Sequence, residues 1–118
     1  MKKLYKKALY DRTSAQCSKL ITNKYSTSFS LGIKMLDKDI RMPIYGIYGF
    51  VRVADEIVDS FHEYDKKKLL DEFVVVTYKA IDEGISTNPV LNAFQEVVNA
   101  YNIERKHIQA FFDSMYQD

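Results

Sequence analysis

The stretch at residues 47–59 has two chemically different sides when it is drawn as a helix. Apolar side chains recur on one side at the spacing of a core-facing stripe, namely Ile47, Phe50, Val51, Ala54, Ile57 and Val58. The other side, within an arc of roughly 100° at 3.6 residues per turn, carries Tyr48, Arg52, Asp55, Glu56 and Asp59. The pattern predicts a rigid helix that packs against a core and presents a guanidinium and carboxylates together.

The charged side of this helix is suited to magnesium and phosphate. Asp55 and Asp59 are one turn apart, so both carboxylates can reach the same point. Mg²⁺ is usually held by one or two carboxylates together with substrate phosphates, and the planar fork of Arg52 pairs well with phosphate oxygens. The alternative is a solvated helix face with weak ion pairs, which uses the same residue types at the same spacing.

The composition indicates one folded, helical domain. The chain has 118 residues, of which 47% are hydrophobic and 28% charged, and this balance argues against disorder. Only 4 Gly and 2 Pro interrupt it, which favours long helices. Its 17 basic and 16 acidic residues give a net charge of +1, and no basic stripe with interleaved aromatic residues indicates nucleic-acid binding.

Cysteine content and the basic first residues predict the compartment. The lone Cys17 excludes an internal disulfide and fits a reducing environment. Residues 1–7 contain four lysines but no apolar segment of a signal peptide, so we expect a cytoplasmic protein. These lysines predict a solvated first turn or, alternatively, weak attraction to anionic lipid and peripheral contact with the inner face of the membrane.

Apolar periodicity predicts an all-α fold. We expect helices at about residues 11–24, 41–59 and 65–83, and two more that begin near Pro89 and Ile103. Gly84 is expected to end the third helix, Asn88 to cap the fourth, and Asn102 to cap the last. Gly46 and Gly49 predict a close approach by a neighbouring backbone or a ligand.

Hydroxyl side chains cluster between the first two predicted helices, at Ser26, Thr27, Ser28 and Ser30. Such residues compete for backbone hydrogen bonds and predict a turn or a helix cap. Because the run leads into an apolar segment at residues 31–36, the hydroxyls could instead face a pocket.

Two stretches in this order resemble the start of squalene and phytoene synthases, which are head-to-head prenyl synthases. The residues that carry the resemblance are Ser26-x-Ser28-Phe29, followed by Tyr48-x-Phe50-x-Arg52-x-x-Asp55-Glu56-x-x-Asp59. The segment from Met115 to Asp118 also resembles a later Met-x-x-Asp element of the family. The resemblance covers the whole chain, and about the first two-fifths of a typical member.

The resemblance implies an all-α isoprenoid synthase fold, with residues 1–118 as the N-terminal helical part of its bundle. It also implies a prenyltransferase of isoprenoid or carotenoid biosynthesis that joins two farnesyl or geranylgeranyl diphosphates head-to-head. The cofactor would be Mg²⁺, or alternatively Mn²⁺, and squalene-type enzymes also use NADPH. One diphosphate ionises, and the carbocation attacks the second prenyl chain to give a cyclopropyl intermediate.

The family's functional residues map onto matching positions of this chain. Asp55 and Asp59 resemble the catalytic metal ligands of the first aspartate-rich motif. Arg52, Ser26 and Ser28 resemble diphosphate contacts. Tyr48 resembles a wall residue of the substrate cavity beside the diphosphate.

Two features depart from the family pattern. Tyr25 occupies the position at which some members have a His that contacts diphosphate. A second aspartate-rich motif is absent from these 118 residues. We therefore expect an N-terminal part that is inactive and self-associating when it is alone. The competing interpretation is a small non-catalytic helical interaction module whose acidic face is only solvated.

Overall fold

The computed structural model describes the backbone of residues 2–117 and the side chains of residues 6–117. This part of the chain forms helices and no strand, which confirms the predicted all-α class. The helices are α1 (Lys2–Tyr25), α2 (Thr27–Lys34), α3 (Lys38–Asp59), α4 (Lys66–Glu83), α5 (Pro89–Tyr101) and α6 (Arg105–Gln117).

Several helix ends follow the sequence prediction. The Asn88 side chain accepts hydrogen bonds from the backbone N–H groups of Val90 and Leu91, and Pro89 opens α5. Gly84 ends α4 in the left-handed conformation, at φ 71°. A side chain at this position would be strained, so glycine is favoured there.

Other boundaries differ from the prediction. α1 begins at Lys2 rather than near Asp11, because lysine is a good helix former and Lys7 lies 2.7 Å from Asp11 one turn later. Asn102 does not cap α6. It adopts φ 53° and ends α5, and α6 begins only at Arg105. Asparagine tolerates this left-handed conformation better than most residues do.

An aromatic cluster centred on Phe50 forms the core. The Phe50 ring stacks on Phe94 with centroids 3.7 Å apart, and it also contacts Phe73 and Phe112 at 5.5 and 5.7 Å. All four side chains are buried. The stripe predicted for α3 is confirmed, since every member is buried or partly buried against this cluster.

One buried position of α4 is occupied by threonine and not by an apolar residue. Val76 is 42% exposed, whereas the neighbouring Thr77 is fully buried. The Thr77 hydroxyl donates to the carbonyl of Phe73 at 2.7 Å, and this bond satisfies its polar group inside the core. Hydrophobic periodicity does not reveal a buried threonine of this kind.

The two glycines of α3 lie against neighbouring helices, as predicted. A Cβ built on Gly49 would lie 2.6 Å from the Ser18 Oγ and 3.0 Å from the Ser18 Cα of α1. A Cβ on Gly46 would lie 3.3 Å from the Ala93 carbonyl oxygen of α5. α1 and α5 therefore pack on α3 at backbone-to-backbone distance.

Small hydroxyl residues, rather than apolar ones, face inward on α1. Ser14, Ser18 and Thr22 are each fully buried at intervals of four residues. The hydroxyls of Ser14 and Thr22 donate to carbonyls one turn earlier, at 2.8 and 2.9 Å. Leu20 of the same helix is 57% exposed.

Buried amides connect α5 to α1. Asn92 donates to Asp11 at 2.9 Å and to Ser14 at 3.1 Å, and it accepts from the Gln95 side chain at 3.2 Å. Burial raises the pKa of Asp11, but the hydrogen bonds from Lys7 and Asn92 outweigh this effect, so the net pKa lies below the usual value. The network thus stabilises the ionised carboxylate.

Replacement of Gly49 by alanine should destabilise the fold. The new Cβ would meet the Ser18 backbone, so we expect Gly49→Ala to lower the free energy of unfolding by about 1–3 kcal/mol. The matched control is Gly32→Ala in α2, where no atom lies within 4 Å of the new Cβ. That change should stabilise by about 0.5–1 kcal/mol. Urea unfolding of both variants checks the difference, and equal effects would contradict the close approach.

The Asp11 network predicts a stability change in acid. Because folding lowers the pKa of Asp11, its contribution is present above about pH 4, the unfolded pKa, and is lost as pH falls through the folded value. Asp11→Asn should therefore reduce the loss of stability between about pH 5 and pH 2. Denaturant unfolding over this range tests the claim, and an unchanged pH dependence would contradict it.

Candidate active-site face on α3

The polar side of α3 remains accessible because its apolar side is used by the core. Phe50, Ala54 and Ile57 are buried. On the other side, the side chains of Arg52 and Asp55 are 22% and 29% exposed, and Asp59 is exposed at the last residue of the helix. The predicted charged residues thus lie on one helix, along one partly open face.

Contacts with three side chains hold the Arg52 guanidinium. Nη2 lies 2.9 Å from the Glu56 Oε1, and Nη1 lies 4.0 Å from the Asp55 Oδ2. Cζ lies 5.1 Å from the centroid of the Tyr25 ring at the end of α1. Nε is buried and has no hydrogen-bond partner among the described residues. Arg52 is therefore a partly desolvated cation whose planar group is fixed on several sides.

The hydroxyl run forms the start of α2 beside this face. Ser26 is the N-cap, and its Oγ accepts from the Phe29 N–H at 3.1 Å, so the predicted cap is confirmed. Ser28 is exposed, while Ser30 is buried and donates to the Asn23 side chain at 2.6 Å. Of the run, only Ser30 is buried.

An aromatic pair connects α2 to α3. The rings of Phe29 and Tyr48 stack with centroids 4.5 Å apart and an interplanar angle of 26°. Offset stacking of this kind stabilises by roughly 0.5–1.5 kcal/mol beyond simple burial. The pair holds the Ser26 cap next to the turn of α3 that precedes Arg52, so the two predicted stretches meet in the structure.

The described residues offer a partial metal site. No group of three or more His, Cys, Asp or Glu side chains among them could hold a metal ion. Asp55 and Asp59 can supply two carboxylates, and Mg²⁺ commonly takes its other ligands from water and substrate phosphates. Asp55 and Asp59 therefore fit Mg²⁺ as part of a ligand set that includes water and phosphate oxygens. Asp118, the acid of the predicted Met-x-x-Asp element, lies outside the described residues.

A groove of about 560 Å³ lies elsewhere, between α1, the start of α3, and α5. It contains none of the predicted site residues. Its lining includes Asp11 and Glu96, and burial, with a further effect of the Asp11 charge, raises the pKa of Glu96. The groove combines two acidic groups and the basic Arg12 with an apolar wall. The residues predicted to bind a metal and a diphosphate lie at α2 and α3 instead.

Comparison with protein families identifies the family of the chain. The squalene/phytoene synthase family profile matches residues 22–118, which include Ser26, Ser28 and the whole of α3. The chain belongs to the squalene/phytoene synthase family. The family's all-α isoprenoid synthase fold agrees with the observed helices. No curated protein matches the chain.

A helix must be long and apolar to cross a membrane. Within residues 2–117, none of the helices has the length and apolar content needed to cross a bilayer.

The structure adds contacts that the sequence did not predict for this site. Glu56 is the closest ion-pair partner of Arg52, Tyr25 lies against Arg52, and Phe29 stacks on Tyr48. The i, i+4 spacing of Arg52 and Glu56 could have indicated the ion pair. No sequence signal indicates which aromatic residue of α1 or α2 reaches α3.

The two serines should differ in their contribution to stability. Ser26→Ala removes the cap of α2 and should lower the free energy of unfolding by about 1 kcal/mol. Ser28→Ala is the matched control, since it removes an exposed hydroxyl from the same helix and should have little effect. Thermal and urea unfolding without ligand compare them. Equal losses would show that the cap bond has no special role.

Proposed function

We propose that the protein acts as an Mg²⁺-dependent prenyltransferase that condenses two prenyl diphosphates head-to-head, in isoprenoid or carotenoid biosynthesis. The observation that supports this function most directly is the face on α3, where Arg52 lies within reach of Asp55 on a helix that also ends in Asp59. The match to the family over residues 22–118 supports it independently.

Each group on this face has a role in the proposal. Asp55 and Asp59 hold Mg²⁺, or alternatively Mn²⁺, through carboxylate oxygens. The bound metal supplies positive charge that stabilises a departing diphosphate. Arg52 binds diphosphate oxygens through its planar fork, and the hydroxyls of Ser26 and Ser28 donate hydrogen bonds to the same group. Tyr48 forms part of the wall beside it.

The remaining predictions concern the substrate and the partners. We expect farnesyl or geranylgeranyl diphosphate as substrate, with NADPH required only for a squalene-type product. Residues 1–118 contribute one aspartate-rich helix face, so these residues alone should be inactive. Exposed apolar side chains such as Met35, at 87%, support self-association of the isolated chain. A cytoplasmic location with peripheral membrane contact stays a prediction.

Thermal unfolding with inorganic pyrophosphate tests the proposed site. We expect Mg²⁺ and pyrophosphate together to raise the melting temperature more than the sum of their separate effects, because two carboxylates alone hold Mg²⁺ weakly. Asp55→Asn and Asp59→Asn should each abolish this joint increase. Glu72→Gln, which removes one negative charge from exposed α4 surface, is the matched control and should retain it.

Three results would contradict the proposal. An equal increase with Mg²⁺ alone would indicate a complete metal site that does not need a phosphate ligand. A joint increase that persists in Asp55→Asn would place the ligand elsewhere. Loss of the increase in Glu72→Gln as well would indicate a general charge effect, as expected for a non-catalytic interaction module.

A further inference from the structure

Tyr25 is a largely exposed residue whose ring contacts a charged side chain. It is the last residue of α1, and 53% of its surface is accessible. Its ring lies beneath the Arg52 guanidinium, with Cζ 5.1 Å from the ring centroid. A cation within about 6 Å of an aromatic face is attracted by the ring's electron density. The position of Tyr25 therefore has a specific electrostatic partner.

The backbone around Tyr25 is fixed on both sides. Ser26 adopts an extended conformation, at φ −150° and ψ 97°, which ends α1 and caps α2. The Ser26 N–H still donates to the Thr22 carbonyl at 2.9 Å, and Thr22 is fully buried. The ring is thus presented from a rigid junction between two helices.

The aromatic and acidic partners of Arg52 lie near different atoms of its guanidinium. Cζ lies over the Tyr25 ring, 5.1 Å from its centroid, while Glu56 and Asp55 approach the terminal nitrogens at 2.9 and 4.0 Å. The terminal N–H groups are those that pair with phosphate oxygens. A ring beneath Cζ attracts the cation without accepting from these N–H groups, so the terminal nitrogens can exchange Glu56 for another acceptor.

We propose that Tyr25 is a positioning residue that orients the Arg52 fork toward a diphosphate. This inference rests on the proposed function, because it assumes that Arg52 binds a diphosphate. Tyr25 acts through its ring face and does not touch the ligand. Glu56 holds the edge of the fork in the free protein, and the diphosphate replaces it without loss of the ring contact.

The proposal predicts which part of Tyr25 matters. A cation–π contact depends on the ring and not on the hydroxyl, so Tyr25→Phe should preserve it. Tyr25→Leu keeps an apolar side chain but removes the ring. Because the side chain is more than half exposed, neither change opens a cavity in the core. Tyr101→Leu is the matched control, since Tyr101 also ends a helix and is 57% exposed.

The test combines a ligand-free and a ligand-bound measurement on the same chain. Without ligand, the nuclear magnetic resonance signal of the Arg52 Nε–Hε group should show a ring-current shift in the wild type and in Tyr25→Phe, and lose it in Tyr25→Leu. With Mg²⁺ present, Tyr25→Leu should weaken binding of inorganic pyrophosphate about two- to tenfold. Tyr25→Phe and Tyr101→Leu should bind as the wild type does.

A double variant decides whether Tyr25 acts through Arg52. In an Arg52→Gln background, Tyr25→Leu should cause no further loss of pyrophosphate affinity. An equal loss in both backgrounds would overturn the inference. A loss in Tyr25→Phe would also overturn it, because the hydroxyl would then bind the ligand directly.

The wild-type protein separates failure of this inference from failure of the proposed function. If wild-type protein bound pyrophosphate and Tyr25→Leu left both the affinity and the Arg52 signal unchanged, the inference alone would fail. If the wild type bound none, the proposed function would fail with it.

Discussion

The close approach of α1 to α3 at Gly49 is the contact on which the arrangement of the predicted site residues depends most. Because Gly49 has no side chain, the Ser18 backbone reaches the surface of α3. Ser18 and Tyr25 are seven residues apart and share one face of α1, and Gly49 and Arg52 are about one turn apart on α3. The same two helices also meet where the Arg52 guanidinium lies over the Tyr25 ring. A bulkier residue at position 49 would separate both pairs together.

The Phe50 cluster completes this arrangement from the opposite side. Phe50 stacks on Phe94 of α5 and contacts Phe112 of α6, so the rotation of α3 about its axis is fixed. Once the apolar side faces this cluster and Gly49 faces α1, only the charged arc remains open. The partial exposure of Arg52 and Asp55 is thus a consequence of packing.

Sequence reasoning succeeded for the fold of α3, whose buried stripe is confirmed. On α3 the buried stripe and the charged arc alternate at helical spacing, so the pattern predicted both the helix and its exposed residues. The same reasoning misjudged α1, whose buried side is formed by Ser14, Ser18 and Thr22. Two of these hydroxyls bond to their own helix, and hydropathy counts them as surface residues. The contact between Tyr25 and Arg52 was also not predictable, because it joins side chains of different helices.

Charge balance explains why a metal and a diphosphate would bind this face together. Arg52 contributes one positive charge, and Asp55, Glu56 and Asp59 contribute three negative charges, which gives a net charge of −2. A diphosphate alone would be repelled by this surplus, and Mg²⁺ alone would lack ligands. In the proposed site, each binding partner would remove the obstacle to the other, and their affinities would be coupled.

Glu56 would have a distinct part in this coupling. It neutralises Arg52 in the free protein and would be displaced by phosphate oxygens. The displaced Glu56 carboxylate would then lie one residue from Asp55 and add to the negative charge that attracts the cation.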